Sequence, residues 1–452
     1  MSNPNNPNIQ QRSTPQWGLY QRELFWGPNE NKHPPFNTDP DKLKATAKER
    51  LSLAGWHYAS CNAGQSLTHY ANRAAFFRHQ IIPRTLVDTT ARDTLTSVFG
   101  TRVAAPVGFA PIGINRIYHA TGELSPARVA GELGLLYCLS SAGSYGVEEV
   151  ARANDAGKAK GVEKGIRGEG EGGGKGGQGE GKIGVRWFQL YWSPDDGVAL
   201  SMLRRAADNG YAACVLTTDT WQLGWRHDDV MHGNYAFYHD HGAGDLGLND
   251  PEFVRRVREM GLDPKSEGDK MKVGASWIDG HIWHGQSFSW ERIPWLMENW
   301  KRLSGGKPFA IKGIQSVADA KKAVELGVDG IVVSNHAGRQ VDGAIASLDA
   351  LEKIVDAVGD RIYIMYDSGV RSGADVFKAL ALGAKFVFVG RLWVYALGSG
   401  GEEGVRHVMK SLLADFDILM NVAGYPDLKE INRDALDSLP KGSHYPLAAD
   451  MA

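Results

Sequence analysis

Eight short apolar runs between residues 103 and 389 constrain the fold of this 452-residue chain more than any other feature. Each run is followed by glycine or polar residues. Short apolar runs bounded by turn residues are typical of strands that are buried on both faces of a parallel sheet. The eight strand candidates are residues 103–110, 135–139, 186–190, 212–216, 308–311, 330–333, 362–366 and 386–389.

Helical segments lie between many of these runs. Residues 316–326 and 372–382 each begin with a serine that is followed three residues later by an aspartate, and each stops at a glycine. This spacing resembles the capping box that starts a helix, and glycine commonly ends one. Strands that alternate with helices predict parallel βα units, and eight units predict an α/β protein with a closed (β/α)8 TIM barrel. An open doubly wound sheet is the alternative.

The composition divides the chain into a barrel and its extensions. Residues 1–16 are rich in Asn, Pro and Gln and are predicted to be a disordered tail. Residues 17–100 are too short and irregular for a robust core, so we predict an N-terminal extension that packs on the main domain. The barrel is predicted to span residues 101–436, and residues 437–452 form a C-terminal tail.

Two segments interrupt the alternation of strands and helices. Thirteen of the twenty-eight residues in 157–184 are glycine, which predicts a flexible insertion before the third strand. A phosphate-binding loop is disfavoured there because the glycines lack a fixed spacing. Residues 227–300 form a long loop after the fourth strand, rich in aromatic residues and histidine, which suggests a lid or an interface segment. Its histidines show no recognised ligand spacing, so we predict no metal site.

Bulk properties exclude some classes of partner and compartment. The formal net charge is -2, so electrostatics predict no attraction to nucleic acid or to membranes. No apolar run approaches the length of a membrane span, and the first residues lack the apolar core of a signal peptide. Three widely spaced cysteines, two of them in apolar runs, are typical of reduced thiols in an intracellular protein. We therefore predict a soluble, cytoplasmic protein.

The residues at the strand ends suit two kinds of ligand. Residues just beyond the strand C-termini line the active site of a parallel barrel. Glycine and arginine after the seventh and eighth strands suit a phosphate, because glycine lets backbone N–H groups approach and arginine supplies bidentate charge. Ser140, Gln189 and Thr217 suit the edge of a heterocycle, and Lys312 places a cation beside it. The residues that suit an acid substrate are Tyr58, Tyr191, Arg226, Arg339 and His336.

An imidazole and a guanidinium three residues apart, His336 and Arg339, suit proton abstraction from a substrate that is anchored by its negative charge. A solvated surface loop is the alternative interpretation of that stretch, and any single strand-end Lys or Ser is more often structural than catalytic. The joint pattern over eight strands favours a catalytic site.

Four motifs resemble the FMN-dependent α-hydroxy-acid oxidase and dehydrogenase family. The resemblance runs from about residue 16 to 436, apart from the glycine-rich insertion. Within the family, residues 217–226 and 284–291 are most similar to the lactate 2-monooxygenase branch. The four motifs are SNHAGRQ at 334–340, KGI at 312–314, DSGVR at 367–371 and GR at 390–391.

The resemblance implies a catalytic role for four residues. His336 would be the base that takes a proton from the 2-hydroxy acid, and Asp367 would also orient it. Lys312 would stabilise the reduced flavin, and Tyr191 would contact the reacting oxygen of the substrate. The implied substrate-binding residues are Tyr58, Tyr191, Arg226, His336 and Arg339.

The resemblance also implies FMN at the C-terminal mouth of the barrel. The residues that would bind its ring, ribityl chain and phosphate are Pro111, Ile112, Gly113, Ser140, Gln189, Thr217, Lys312, Ser334, Asp367, Ser368, Gly369, Arg371, Gly390 and Arg391.

The implied activity is oxidation of an L-2-hydroxy acid to the 2-keto acid with O2 as the acceptor, followed by oxidative decarboxylation in the monooxygenase branch, in a homotetramer. The alternatives are a dehydrogenase with another acceptor and a non-catalytic flavin-binding barrel. Three departures bear on the substrate. Ala337 stands where the family has glycine, the loop after Tyr58 lacks an acidic residue, and Ala142 stands where relatives are often bulky.

Overall fold

Eight parallel strands close into a barrel in this computed structural model, which describes residues 14–163, 183–233 and 245–440. Each strand pairs with the next one in chain order, and the last pairs with the first. The predicted closed (β/α)8 barrel is confirmed, and the open sheet is excluded. The strands are β1 (Val107–Phe109), β2 (Leu136–Ser140), β3 (Arg186–Leu190), β4 (Cys214–Thr217), β5 (Phe309–Ile314), β6 (Gly330–Val333), β7 (Tyr363–Tyr366) and β8 (Phe386–Val389).

A helix follows every barrel strand. The two predicted serine caps are present: Ser316 accepts a hydrogen bond from the Asp319 backbone N–H at 3.0 Å, and Ser372 accepts one from Asp375 at 3.2 Å. In the described part of the chain, no helix is both long and apolar enough to cross a membrane. The barrel helices are α1 (Leu124–Leu133), α2 (Val147–Glu163), α3 (Asp196–Asp208), α4 (Ile293–Ser304), α5 (Val317–Glu325), α6 (Ser347–Val358), α7 (Gly373–Ala381) and α8 (Arg391–Val422).

The described residues before and after the barrel pack together, next to it. Helices Leu19–Trp26, Pro40–Arg50, Leu53–Ser60 and Leu67–Phe77 form the N-terminal part, and strand His79–Ile81 pairs antiparallel with Leu436–Ser438. Two predicted boundaries are therefore wrong. Residues 437 and 438 belong to a paired strand rather than to a tail, and Thr14, placed in the disordered tail, is buried with its hydroxyl bonded to Asp93. Residues 1–13 and 441–452 lie outside the described residues.

The segment after β4, residues 227–300, contains several helices. The prediction of a long loop there is therefore wrong. Helices Pro251–Glu259 and Lys270–Trp277 occupy it, and α4 already begins at Ile293 inside the predicted loop. These helices form because they have apolar side chains to bury: Phe253 and Trp277 are fully buried and meet edge to face at 4.8 Å. Residues 234–244 of this segment lie outside the described residues.

The glycine-rich insertion begins later than predicted, because α2 continues through residues 157–163. The glycines there permit close packing on α1. A Cβ added at Gly157 would lie 1.9 Å from the Arg128 carbonyl oxygen, and one at Gly161 would lie 2.4 Å from that of Glu132. The glycines in this part of the chain, whose number suggested flexibility, form a contact surface between the two helices. Residues 164–182 lie outside the described residues.

Gly157→Ala is expected to lower the free energy of unfolding by about 2 kcal/mol, because the added methyl group would overlap the α1 backbone. In an open helix the same change stabilises by about 1 kcal/mol, so the sign of the effect is diagnostic. Chemical denaturation would measure it, with Ala159→Gly at an exposed position of α2 as the control for helix propensity. A stabilised Gly157→Ala variant would contradict the close contact.

Candidate active site

A cavity of about 910 Å³, counted to its open mouth, lies at the C-terminal ends of the barrel strands. The predicted residues that line it are Tyr58, Pro111, Ile112, Gly113, Tyr191, Arg226, Lys312, His336, Arg339, Asp367, Ser368, Gly369, Arg371, Gly390 and Arg391. The predicted residues that do not line it are Ser140, Gln189, Thr217 and Ser334.

His336 is held by a carboxylate from another strand end. Its Nδ1 lies 2.8 Å from Oδ1 of Asp219, which follows β4, and 3.0 Å from the Thr220 hydroxyl. In the described part of the chain, Nε2 has no hydrogen-bond partner. A carboxylate on Nδ1 fixes the orientation of the ring and stabilises its protonated form. The arrangement is that of a general base with its free nitrogen available to a ligand.

Asp367 does not orient His336, contrary to the prediction. Its Oδ2 lies 3.4 Å from the Lys312 ammonium, and its Oδ1 accepts a hydrogen bond from the Ser368 hydroxyl at 2.8 Å. Lys312 also donates to the Ser334 hydroxyl at 3.0 Å. Each carboxylate therefore contacts a different basic group, Asp219 the imidazole of His336 and Asp367 the ammonium of Lys312.

Burial and mutual attraction set the charges of Asp219, His336 and Lys312. Burial alone would raise the pKa of Asp219, but His336 and Lys312 lower it to about 2. Burial lowers the pKa of His336, although Asp219 opposes this effect. Burial would likewise lower the pKa of Lys312, but Asp367 and Asp219 raise it instead. At neutral pH the site thus holds an ionised Asp219, a neutral imidazole ready to accept a proton, and a charged Lys312.

Two arginines face the cavity beside this base. Arg226 is 3% exposed and donates to the Arg339 carbonyl oxygen and to the Gln340 side chain, while its Nη1 has no hydrogen-bond partner among the described residues. Burial, and then the proximity of Arg339, lower the pKa of Arg226 to about 10, so it remains charged at neutral pH. The Arg339 guanidinium lies 5.1 Å from the centre of the Tyr58 ring. Nη1 lies 4.0 Å from Asp229 Oδ2, and a buried donor that makes no hydrogen bond suits an anionic ligand such as a carboxylate.

Three of the predicted residues outside the cavity lining form a hydrogen-bonded chain across neighbouring strand ends. The Ser140 hydroxyl donates to Gln189 Oε1 at 2.8 Å, and Gln189 Nε2 donates to the Thr217 hydroxyl at 2.9 Å. All three side chains are buried. Because each partner satisfies the next, the chain fixes the rotamers of polar groups at the ends of β2, β3 and β4.

Backbone and cationic groups after β7 and β8 form the opposite side of the cavity. Ser368 and Gly369 have positive φ angles of 87° and 89°, and Gly390 precedes α8 without a side chain that caps the helix. Arg371 lines the cavity here. Arg391 instead donates to protein groups, among them the carbonyl oxygens of residues 59, 61 and 337, so it ties the N-terminal part to the barrel mouth.

Ala337 has a φ angle of 58°, in the left-handed region that favours glycine. Its backbone N–H donates to the Ser368 hydroxyl at 3.0 Å, which fixes this conformation directly beside His336. Ala337→Gly is expected to raise the free energy of unfolding by about 1 kcal/mol, because the methyl group disfavours this conformation. Chemical denaturation would test this, with Ala159→Gly in a right-handed helix expected to change stability in the opposite direction. A destabilised Ala337→Gly variant would contradict the assignment of strain.

Part of the cavity wall is apolar or aromatic. Tyr191, Tyr118, Leu223 and Trp283 line it, and the Tyr191 and Trp283 rings meet edge to face at 5.8 Å. The small Ala142 side chain lies on the same lining. Tyr118, Leu223 and Trp283 were not singled out from the sequence.

These residues fit a phosphate-bearing flavin. The uncapped N-terminus of α8 and Arg371 suit its phosphate. The buried Lys312, with its raised pKa, suits a ring that becomes anionic on reduction. The cavity thus offers donors for a phosphate and a cation for a reducible ring.

Comparison with known proteins identifies the family of the chain. The family described as "FMN-dependent dehydrogenase" matches residues 47–438. The chain is 39% identical to "FMN-dependent alpha-hydroxy acid dehydrogenase qulF" of Penicillium citrinum over 421 residues, covering 93% of this chain and 96% of that protein. It is 35% identical to "L-lactate oxidase" of Lysinibacillus sphaericus over 382 residues, covering 84% of this chain and 88% of that protein.

Solved structures agree with the sequence comparison. The structure "Mandelate oxidase with (S)-4-Hydroxymandelic acid" superimposes with a TM-score of 0.70 at 31% identity, covering 89% of this chain and 98% of that one. The chain belongs to the FMN-dependent α-hydroxy acid oxidase and dehydrogenase family, and its cofactor is FMN.

Proposed function

We propose that the protein oxidises an L-2-hydroxy acid to the corresponding 2-keto acid with O2 as the electron acceptor. The observation that carries the proposal is the pairing of His336 with Asp219 at 2.8 Å in a cavity that also presents two arginines. Bound FMN supplies the acceptor for the two electrons that leave the substrate. The protein supplies the base, the anchor for the substrate carboxylate and the charge that faces the flavin.

His336 would act through Nε2, since Nδ1 is held by Asp219 and Thr220. Nε2 would take the proton of the substrate hydroxyl as the carbon is oxidised. The resulting imidazolium would be stabilised by the ionised Asp219, whose low pKa keeps it from taking the proton itself. Tyr191, which is buried at the end of β3, would contact the reacting oxygen.

Arg226 and Arg339 would bind the substrate carboxylate, helped by Tyr58. The Nη1 of Arg226, which makes no hydrogen bond among the described residues, and the guanidinium of Arg339 supply the donors on this side of the cavity. Anchoring the carboxylate orients the hydroxyl group toward His336, which raises the fraction of bound substrate that is ready to react.

Arg339→Ala is expected to raise the apparent KM for the 2-hydroxy acid about 100-fold, because it removes a charge-assisted contact worth about 2–3 kcal/mol. Steady-state kinetics would measure this. FMN affinity, followed by flavin fluorescence, is the control, since no predicted role of Arg339 involves the phosphate or the ring. An unchanged KM would contradict the anchoring role.

The apolar wall supports a substrate larger than lactate. Tyr191, Trp283 and the small Ala142 all line the cavity, where they would enclose an aromatic or long aliphatic side chain of the substrate. Oxygen as the acceptor is supported by relatives named lactate oxidase, glycolate oxidase and mandelate oxidase. Relatives named dehydrogenases support the second candidate, transfer to another acceptor. A cytoplasmic homotetramer stays a prediction from the sequence.

The products distinguish these outcomes. Purified FMN-loaded protein would be supplied with lactate, mandelate and longer 2-hydroxy acids while O2 uptake, peroxide and CO2 are measured. We expect O2 uptake with at least one acid. Equal amounts of peroxide and keto acid would identify an oxidase, and release of CO2 without peroxide a monooxygenase. Turnover with an artificial electron acceptor but without O2 uptake would contradict oxygen as the acceptor and establish the dehydrogenase.

A further inference from the structure

Three potential metal ligands converge beside the active site without a role in it. Among the described residues, they are the one group of His, Cys, Asp or Glu side chains whose ligand atoms all lie within 4.8 Å of one another. His57 and Cys61 are four residues apart at the C-terminal end of helix Leu53–Ser60 and lie on one face of it. Asp228 comes from helix His227–Met231, in the segment after β4.

His57 is the observation that points to a ligand. The residue as a whole is 9% exposed, yet neither ring nitrogen has a hydrogen-bond partner among the described residues. Buried polar groups are nearly always hydrogen-bonded, and an unsatisfied one costs about 1–3 kcal/mol. Asp228 Oδ2 lies 3.8 Å from Nδ1 of His57, which is too long for a hydrogen bond.

Two of the three separations between these ligand atoms are close to the edge lengths of a metal coordination sphere. Asp228 Oδ2 is also 3.8 Å from the Cys61 sulfur. Ligands at zinc bond lengths of 2.0–2.3 Å in a tetrahedral arrangement lie about 3.4–3.5 Å apart. A movement of a few tenths of an ångström would give Asp228 Oδ2 this separation from both His57 and Cys61, whose own ligand atoms lie within 4.8 Å of each other. The Asp228 side chain is 64% exposed, so solvent has access to the position.

We infer that His57, Cys61 and Asp228 form a binding site for a divalent transition-metal ion of the zinc type. A set of one nitrogen, one sulfur and one oxygen favours Zn²⁺ over Mg²⁺ and Ca²⁺, which prefer oxygen ligands. Binding releases the thiol proton of Cys61 to solvent. Water completes the sphere, and a further imidazole, His232, stacks on His57 with 4.5 Å between the ring centroids.

Such an ion would connect the two walls of the substrate site. Helix Leu53–Ser60 carries Tyr58, and helix His227–Met231 directly follows Arg226. The Cys61 carbonyl oxygen also accepts hydrogen bonds from Arg339 at 2.9 Å and from Arg391 at 3.0 Å. Metal binding at Cys61 would thus fix the loop that positions both arginines. The inference concerns metal binding alone and does not rest on the proposed reaction.

The test is metal content measured without turnover. FMN-loaded protein would be treated with a chelator, dialysed against zinc chloride and analysed for zinc per chain. We expect one equivalent in the wild type, at least about tenfold weaker binding in Asp228→Asn, and loss in Cys61→Ser. Asp263→Asn, an exposed acid of the same segment, is the matched control and should bind like the wild type.

Cobalt provides a second readout. Co²⁺ in place of zinc should give visible bands in the red, beyond the flavin absorption, in the wild type and not in Cys61→Ser. Because Asp228 is exposed, Asp228→Asn is expected to fold even if a change at the buried His57 does not. Absence of a zinc equivalent in the wild type, or zinc binding that is equal in the wild type and both ligand variants, would overturn the site.

Discussion

His336→Ala is expected to slow the reduction of bound FMN by its 2-hydroxy acid by about 10⁴-fold, which is the upper end of what a positioned general base contributes. Among the described residues that line the cavity, His336 is the one imidazole, and Asp219 holds its Nδ1. Anaerobic stopped-flow absorbance at the flavin band measures the reduction directly, without contributions from the reaction with O2.

The control for this variant is retention of FMN. Because His336 has a φ angle of 55°, His336→Asn is a second variant that tolerates this backbone conformation without supplying a base. Both variants should retain bound FMN, which makes them yellow, and the substrate should reduce that FMN slowly. Reduction within tenfold of the wild-type rate in either variant would remove His336 from the role of base.

Asp219→Asn is expected to lower the rate of flavin reduction by about 100-fold or more, because the neutral amide no longer stabilises the imidazolium that forms in the reaction. Asp219 raises the pKa of His336, so its replacement lowers that pKa further and weakens the base. In a plot of the reduction rate against pH, the fall in rate on the acidic side, the acidic limb, should therefore move to lower pH. The rate at the plateau of the same plot should decrease. Stopped-flow reduction measured across pH tests both effects.

Two further variants separate Asp219 from its neighbours. Thr220→Val removes a neutral contact to Nδ1 of His336 and should lower the rate of flavin reduction by less than about tenfold. Asp367→Asn should affect Lys312, its ion-pair partner, and leave the acidic limb in place. A shift of the acidic limb in Asp367→Asn but not in Asp219→Asn would restore the pairing expected from the sequence and contradict the one in the structure.

The barrel could be predicted because its signals are local. Each strand is a short apolar run, and the serines Ser316 and Ser372, each followed three residues later by an aspartate, mark where two helices begin. The helices after β4 were missed because their stability comes from burial of Phe253 and Trp277 rather than from a regular pattern. Residues 157–163 were misassigned because close helix contact and flexibility both favour glycine.

The composition of the site could be predicted, but one important pairing could not. Asp219 and His336 are 117 residues apart and follow β4 and β6, which are separated in the barrel by β5. Strand order does not say which of two carboxylates reaches an imidazole across an intervening strand. The available signal was position: Asp219 follows its strand by two residues, as catalytic groups of a parallel barrel do.

The most direct test of the account is anaerobic mixing of the wild-type, FMN-loaded protein with a panel of 2-hydroxy acids from lactate to mandelate and longer chains. The account predicts that the flavin band bleaches with at least one L-acid, and faster than with its mirror image. A protein that does not take up FMN, or whose bound FMN no acid in the panel reduces, would contradict it.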